Sequence, residues 1–203
     1  EDTAKQFHKD TGTYIDFNRA GTPLIEIVSK PDMHSAKEAA AYVETLRKNL
    51  LYLNVSDVKM EEGSMRCDVN ISLSEDKDTL GTKTEIKNLN SIANVQKAVQ
   101  AEIERQSALL DAGEKVEQAT RRYDEAQKTT ILMRKKEGNV DYKYFPEPNI
   151  FPIQLDLDWV KSIQDNLEEL PDARLARFMK DYELGEYDDS EYVSDREMAY
   201  YFE

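Results

Sequence analysis

The sequence predicts an α+β fold: a mostly antiparallel sheet with helices packed on it, running into a small helical segment. Three observations predict it. Short runs with apolar and polar residues in alternation, such as Cys67 to Ile71 and Thr84 to Lys87, have the two-residue period of half-buried strands. Two long stretches, opening at Ser35 and at Ser91, carry apolar residues at helical spacing. Beyond about Asp156 the signals are helical only. Strands, helix, strands, helix, strands and then helices is the order of an α+β domain followed by a helical one.

Taken in order, the chain is loop-like to about Gly12, and Thr13 to Asn18 then reads as a strand. The Gly21-Thr22-Pro23 turn leads into a second strand, Leu24 to Val28, with Glu26 in the middle of an apolar run. A carboxylate buried there needs a partner or a cation. Ser35 with Glu38 three residues on forms a capping box. The helix it opens has Ala39, Tyr42, Val43, Leu46, Leu50 and Leu53 as its apolar stripe. After two charged strands comes a helix from Ser91 to Ala112, with Val95, Ala98, Val99, Ile103, Gln106 and Leu110 as its stripe and Gly113 as its stop. Glu117 to Tyr123 and Thr129 to Met133 read as a hairpin. Three prolines between Pro146 and Pro152 mark a boundary, so one domain is expected over 1–155 and the start of a helical one over 156–203. Leu170-Pro171-Asp172 starts a helix there, and Ser194 is expected to cap the last one.

The composition, 39% hydrophobic and 33% charged over 203 residues, is that of a globular protein. No run of about 18 apolar residues is present, so no transmembrane helix and no membrane partner are expected. The opening Glu1-Asp2-Thr3 lacks the basic and apolar regions of a signal peptide. The absent initiator Met and the helical end at Met198 to Glu203 suggest that both termini were cut from something longer. A lone Cys67 excludes an intramolecular disulfide and a cysteine zinc site, and it fits a reducing cytoplasm. A net charge of −14 argues against this piece gripping nucleic acid by itself. That charge is uneven: residues 165–203 carry thirteen acids against four basic residues.

The densest chemistry lies between Val58 and Asn90. Alternation puts Cys67, Val69 and Ile71 on one strand face and Arg66, Asp68 and Asn70 on the other. In the next strand Thr84 and Ile86 share one face, with Lys83, Glu85 and Lys87 opposite. If the strands pair, carboxylates, cations and an amide crowd one patch, a mix that suits a metal–polyphosphate. A solvated polar face of an antiparallel sheet presents the same pattern, and alternation alone leaves both readings open. Glu26, Asp68, Glu85 and the Glu61-Glu62 pair are the carboxylates available to a cation, and Arg66, Lys83 and Lys87 those for phosphate. Tyr142, Tyr144 and Phe145 would either stack a base or pack beneath the prolines. His8 and His34 stand in polar loops, and no nucleophilic pair, phosphate loop or dinucleotide fingerprint occurs.

Asp16-Phe17-Asn18-Arg19-Ala20-Gly21-Thr22-Pro23-Leu24-Ile25-Glu26-Ile27-Val28-Ser29 closely resembles a signature of the B subunit of bacterial aspartyl/glutamyl-tRNA amidotransferase. So do Met60 to Asn70, Glu85-Ile86-Lys87-Asn88-Leu89-Asn90-Ser91 and Asp141 to Pro148, in order and over essentially the whole chain. Two departures stand out: Ala119 where that family usually has Glu, and Ser91-Ile92-Ala93-Asn94 in place of a more aromatic run.

The resemblance implies a glutamine synthetase-like catalytic cradle, of which residues 1–155 would be the larger part, with the tail domain absent. It also implies ATP-dependent amidation of Glu on tRNA(Gln) or Asp on tRNA(Asn). The side-chain carboxylate is first phosphorylated, and ammonia from a glutaminase A subunit then displaces phosphate. Partner A and C subunits, misacylated tRNA, ATP and Mg²⁺ come with it, as does a cytoplasmic location. By motif position Glu1, Glu26, Asp68 and Glu85 would be Mg²⁺ ligands. Arg66, Lys87 and Asn88 would contact phosphate or substrate, with Lys83 and Arg66 on the nucleotide. A piece of this length is expected to be inactive alone. The rival readings are a scaffold that docks partner subunits, and another carboxylate–ammonia ligase of the same type.

Overall fold

The computed structural model describes residues 5–76, 78–135, 146, 148, 150–183, 185 and 191–203. It divides into two compact units, Glu1–Met33 and His34–Glu203.

The first unit is a hairpin. β1 (Lys5–Lys9) pairs antiparallel with β2 (Gly12–Asp16), Phe7 facing Tyr14 and His8 facing Thr13. The loop-like reading of the start is corrected here: β1, with a single apolar residue, forms through its ladder to β2. Residues 22–30 form neither helix nor ladder, so the expected strand over Leu24 to Val28 is absent, and Glu26 is exposed on a coil.

The second unit is a four-stranded sheet with two helices on one face. β3 (Cys67–Ile71), β4 (Thr84–Leu89), β5 (Ala119–Asp124) and β6 (Thr129–Lys135) lie side by side in that order. β3–β4 and β5–β6 are antiparallel, whereas β4 and β5 run parallel. Parallel neighbours need a crossover, and α2 (Ile92–Asp111) supplies it. The β3–β4 connection returns so closely that a Cβ on Gly81 would meet the Leu73 carbonyl oxygen at 1.9 Å, so only glycine fits.

α1 (Ala36–Tyr52) starts as the sequence predicts. Ser35 Oγ accepts from the Glu38 N–H at 3.1 Å. The returning Glu38 carboxylate takes the His34 N–H, one residue before the cap. Both long helices end in a left-handed residue that satisfies their last carbonyls, Asn54 after α1 and Gly113 after α2.

α1 packs along α2. Val43, Val95 and Ala98 from the helices meet Ile86, Leu89 and Met60 in one core, with Cys67, Val69 and Ile71 against it. The α1 stripe is partly corrected: Ala36, Ala40, Val43 and Tyr52 are buried, while Tyr42 is exposed. On α2 the buried row passes through Glu102, and Leu110 is exposed.

A second core lies at the far end of α1. α3 (Leu157–Asp165), α4 (Pro171–Asp181) with Pro171 in its first turn, a helical turn at 191–194 and α5 (Arg196–Phe202) form the helical segment. Tyr52 and Phe178, both fully buried, pack with Val193 and Ala199, and the Tyr52 hydroxyl donates to the Val193 carbonyl at 2.9 Å. The cap of α5 is Asp195 rather than Ser194: its carboxylate accepts from the Met198 N–H, while the Ser194 hydroxyl donates to Glu191 O. A charged cap oxygen at the favoured spacing from that N–H outcompetes a hydroxyl already committed to the preceding turn.

Candidate functional site

The helices cover the sheet face that carries Thr84, Ile86 and Leu89. On the other face β3 and β4 bring Asp68, Glu85 and Lys87 together, as their alternation predicts. Lys87 Nζ donates to Asp68 Oδ2 at 2.8 Å and stands 3.4 Å from Glu85 Oε1. The hydrogen bond to Asp68 chiefly raises the Lys87 pKa, the two carboxylate charges adding to it against partial burial, so the ammonium persists across the neutral range. Glu85 is the more enclosed acid, its side chain 16% exposed against 45% for Asp68.

Two residues of this face come from β5, which alternation within β3 and β4 alone does not reveal. Because β4 and β5 are parallel, Glu85 faces Thr120 and Lys87 faces Arg122. The Thr120 hydroxyl donates to Glu85 Oε2 at 3.0 Å, fixing that carboxylate between a hydroxyl and an ammonium. The signal for Thr120 is the strand–helix–strand order from Thr84 to Asp124, which permits a parallel neighbour through a helical crossover.

The remaining predicted residues fall around this trio or away from it. Arg66 is exposed just before β3, and Lys83 is exposed just before β4. Asn88 follows Lys87 and is exposed. Glu62 is engaged by Lys59 at 3.0 Å within the turn before β3, so the Glu61-Glu62 pair belongs to a solvated turn. Glu26 lies in the first compact unit. Glu1, Tyr142, Tyr144 and Phe145 lie outside the described residues.

Two carboxylates set one lysine apart are the oxygen donors a hard cation such as Mg²⁺ takes. Among the described residues no group of three or more His, Cys, Asp or Glu is arranged to hold a metal ion. Asp68 and Glu85 offer two such oxygen donors, and the charge between them is the Lys87 ammonium. None of the described helices is long and apolar enough to cross a membrane.

The family profile described as GatB/GatE catalytic domain matches residues 1–161. Among curated proteins, the chain is 53% identical over 204 residues to the B subunit of the aspartyl/glutamyl-tRNA(Asn/Gln) amidotransferase of Mycoplasma capricolum. It is 51% identical over 205 residues to the B subunit of the Oceanobacillus iheyensis enzyme, and 50% over 208 residues to that of Moorella thermoacetica. All of this chain is covered in each case, but only 43%, 43% and 44% of the relatives. The chain thus spans less than half the length of the curated relatives it matches.

Proposed function

This chain belongs to the GatB/GatE catalytic-domain family, and from that premise we propose that it forms much of the site where a tRNA-borne side-chain carboxylate is activated by ATP and amidated. The observation that carries this reading is the ion array Asp68–Lys87–Glu85 on the sheet face opposite α1 and α2. A carboxylate is a poor electrophile, and phosphorylation gives it a leaving group. The γ-phosphoryl group passes from ATP to a carboxylate oxygen, leaving ADP and a mixed anhydride. Ammonia then attacks the carbonyl carbon, phosphate departs with the bonding electrons, and nitrogen loses a proton to give the amide.

Phosphoryl transfer of this kind depends on positioning and on charge neutralisation. Lys87, Arg66 and Lys83 supply positive charge toward the phosphates. Asp68 and Glu85 on this face are proposed Mg²⁺ ligands, and Glu26 and Glu1 are proposed as ligands separately, by motif position alone; the ion, when bound, would neutralise charge developing on the transferred group. Thr120 and Lys87 hold the Glu85 carboxylate in one orientation. The reading extends to a glutaminase A subunit and a C subunit as partners, misacylated tRNA(Gln) or tRNA(Asn) as substrate, a cytoplasmic setting, and a catalytic portion over 1–155 ahead of the helical one.

The test is substitution in the full-length protein within its assembled complex. Asp68→Ala, Glu85→Ala and Glu26→Ala should each abolish misacylated-tRNA-dependent ATP hydrolysis and amide formation while leaving assembly intact. Unchanged hydrolysis in the Asp68 and Glu85 variants would refute the assignment and leave a docking role for this face.

A further inference from the structure

β4 does not run as a regular strand. Val69 pairs with Ile86, but Cys67 pairs with Leu89, so two residues of β4, Lys87 and Asn88, stand opposite the single residue Asp68. This is a β-bulge, and the extra residue, Asn88, has φ of 63°. The bulge has two effects. Leu89 rather than Asn88 returns to the core, where it is 4% exposed. Lys87 and Asn88, which alternation would send to opposite faces, both lie opposite Asp68, outside the core.

A bulge residue in the left-handed region is where glycine is conformationally easiest, with asparagine the next most tolerant. Asn88 is exposed, and its side-chain amide has no hydrogen-bond partner among the described residues. The fold therefore asks for the backbone conformation and makes no use of the amide. We propose that the bulge presents the Asn88 amide beside the Lys87 ammonium as a two-residue clamp for a phosphoryl oxygen, Asn88 donating an N–H while Lys87 supplies the charge. The identity of that anion rests on the functional reading above, but the division of labour at Asn88 does not. Backbone geometry belongs to the fold, and the amide belongs to the ligand.

Glycine separates the two. In the full-length protein within its complex, Asn88→Gly retains the left-handed residue and removes the amide. It should leave the thermal midpoint unchanged or raised while weakening binding of a non-hydrolysable imido analogue of ATP, with Mg²⁺, by about 10-fold or more. Asn88→Ala loses both and should show the same weakening with a midpoint several degrees lower. Asn88→Asp keeps the bulge but sets a carboxylate against phosphate, and should weaken binding further than glycine does. Wild-type affinity in Asn88→Gly overturns the clamp, because conformation would then be all that matters. A midpoint that falls in Asn88→Gly as far as in Asn88→Ala overturns it too, because the amide would then serve the fold. Wild-type complex that binds the analogue but forms no amide on misacylated tRNA refutes the functional reading alone, and the glycine comparison still decides the role of Asn88. No binding by the wild-type complex overturns both.

Discussion

Thr130 on β6 donates its hydroxyl proton to Glu102 on α2 across 2.6 Å, tying the last strand of the sheet to the helix that crosses it. The carboxylate that accepts is fully buried. It also takes two N–H groups of Arg105, at 2.6 and 3.0 Å, and the Gln106 amide at 2.9 Å, with Arg121 Nε 3.6 Å away. Arg121 in turn donates to both the hydroxyl and the carbonyl oxygen of Thr130. A buried charge is tolerated only where its lone pairs are met in this way.

Removing that charge should be among the most damaging changes in the sheet unit. Glu102→Ala takes the acceptor from Arg105, Thr130 and Gln106 and the counter-charge from Arg121, and is expected to lower unfolding free energy by about 3–5 kcal/mol. Thr130→Val, which removes one donor of several, should lower it by about 1–3 kcal/mol. Denaturant unfolding of the two variants beside wild type checks both; equal values would mean the network is not centred on Glu102.

The same group sets an acid limit. Burial alone would raise the Glu102 pKa, but the hydrogen bonds from Arg105, Thr130 and Gln106 together outweigh it and hold the carboxyl below its ordinary value of 4.5. The unfolded chain therefore binds the proton first as pH falls. The stability Glu102 contributes is complete above pH 4.5 and is lost as pH drops through the lower folded value. Thermal midpoints followed downward from pH 6 should fall less steeply in Glu102→Gln than in wild type; parallel curves would count against the assignment.

Leu89 is carried into the core by the bulge and packs with Ile86, Val95 and Met60. Leu89→Ala should lower stability by about 2–5 kcal/mol, the usual range for an emptied leucine site. A loss under about 1 kcal/mol by chemical denaturation would show that the register shift is not what fills this core.

Lys87 should behave in the opposite way. Its bond to Asp68 is partly exposed on both sides, and pairs of that kind contribute about 0.2–1 kcal/mol. Lys87→Met is expected to leave unfolding nearly unchanged yet abolish misacylated-tRNA-dependent ATP hydrolysis in the assembled complex. Retained hydrolysis would remove Lys87 from the reaction.

In the helical segment, Tyr52→Phe deletes the hydroxyl that meets the Val193 carbonyl and leaves that acceptor enclosed. The expected loss is about 1–3 kcal/mol, with the phenyl ring still packed on Phe178. A thermal midpoint within a degree of wild type would argue that water replaces the hydroxyl.

What the sequence discloses and what it withholds divide along sequence distance. Most local chemistry reads correctly: Ser35 caps its helix, the second long helix opens at Ser91 and ends at Gly113, and the Asp124–Thr129 hairpin closes where expected, whereas the last helix is capped by Asp195 and not by Ser194. The charged patch is legible as well, because Asp68, Glu85 and Lys87 sit on adjacent strands whose alternation is intact up to Lys87. Beyond Lys87 the bulge breaks that alternation, and nothing in Asn88-Leu89 announces which of the two turns inward. Thr120 reaches Glu85, and Thr130 and Arg121 reach Glu102, from strands far along the chain. A helical stripe drawn on α2 therefore favours Ile103 over a carboxylate that only those distant residues make tolerable. Leu24 to Val28 reads as a strand by residue type alone, but a strand also needs a neighbour to pair with.

α1 has one end in each core: Val43 packs on the sheet and Tyr52 packs among the C-terminal helices. Its 17 residues form an uninterrupted rod about 26 Å long, without a proline or glycine to act as a joint. A rod anchored at both ends makes the two cores mechanically continuous. Whatever grips the C-terminal helices therefore holds, through this shaft, the platform that carries Asp68, Glu85 and Lys87.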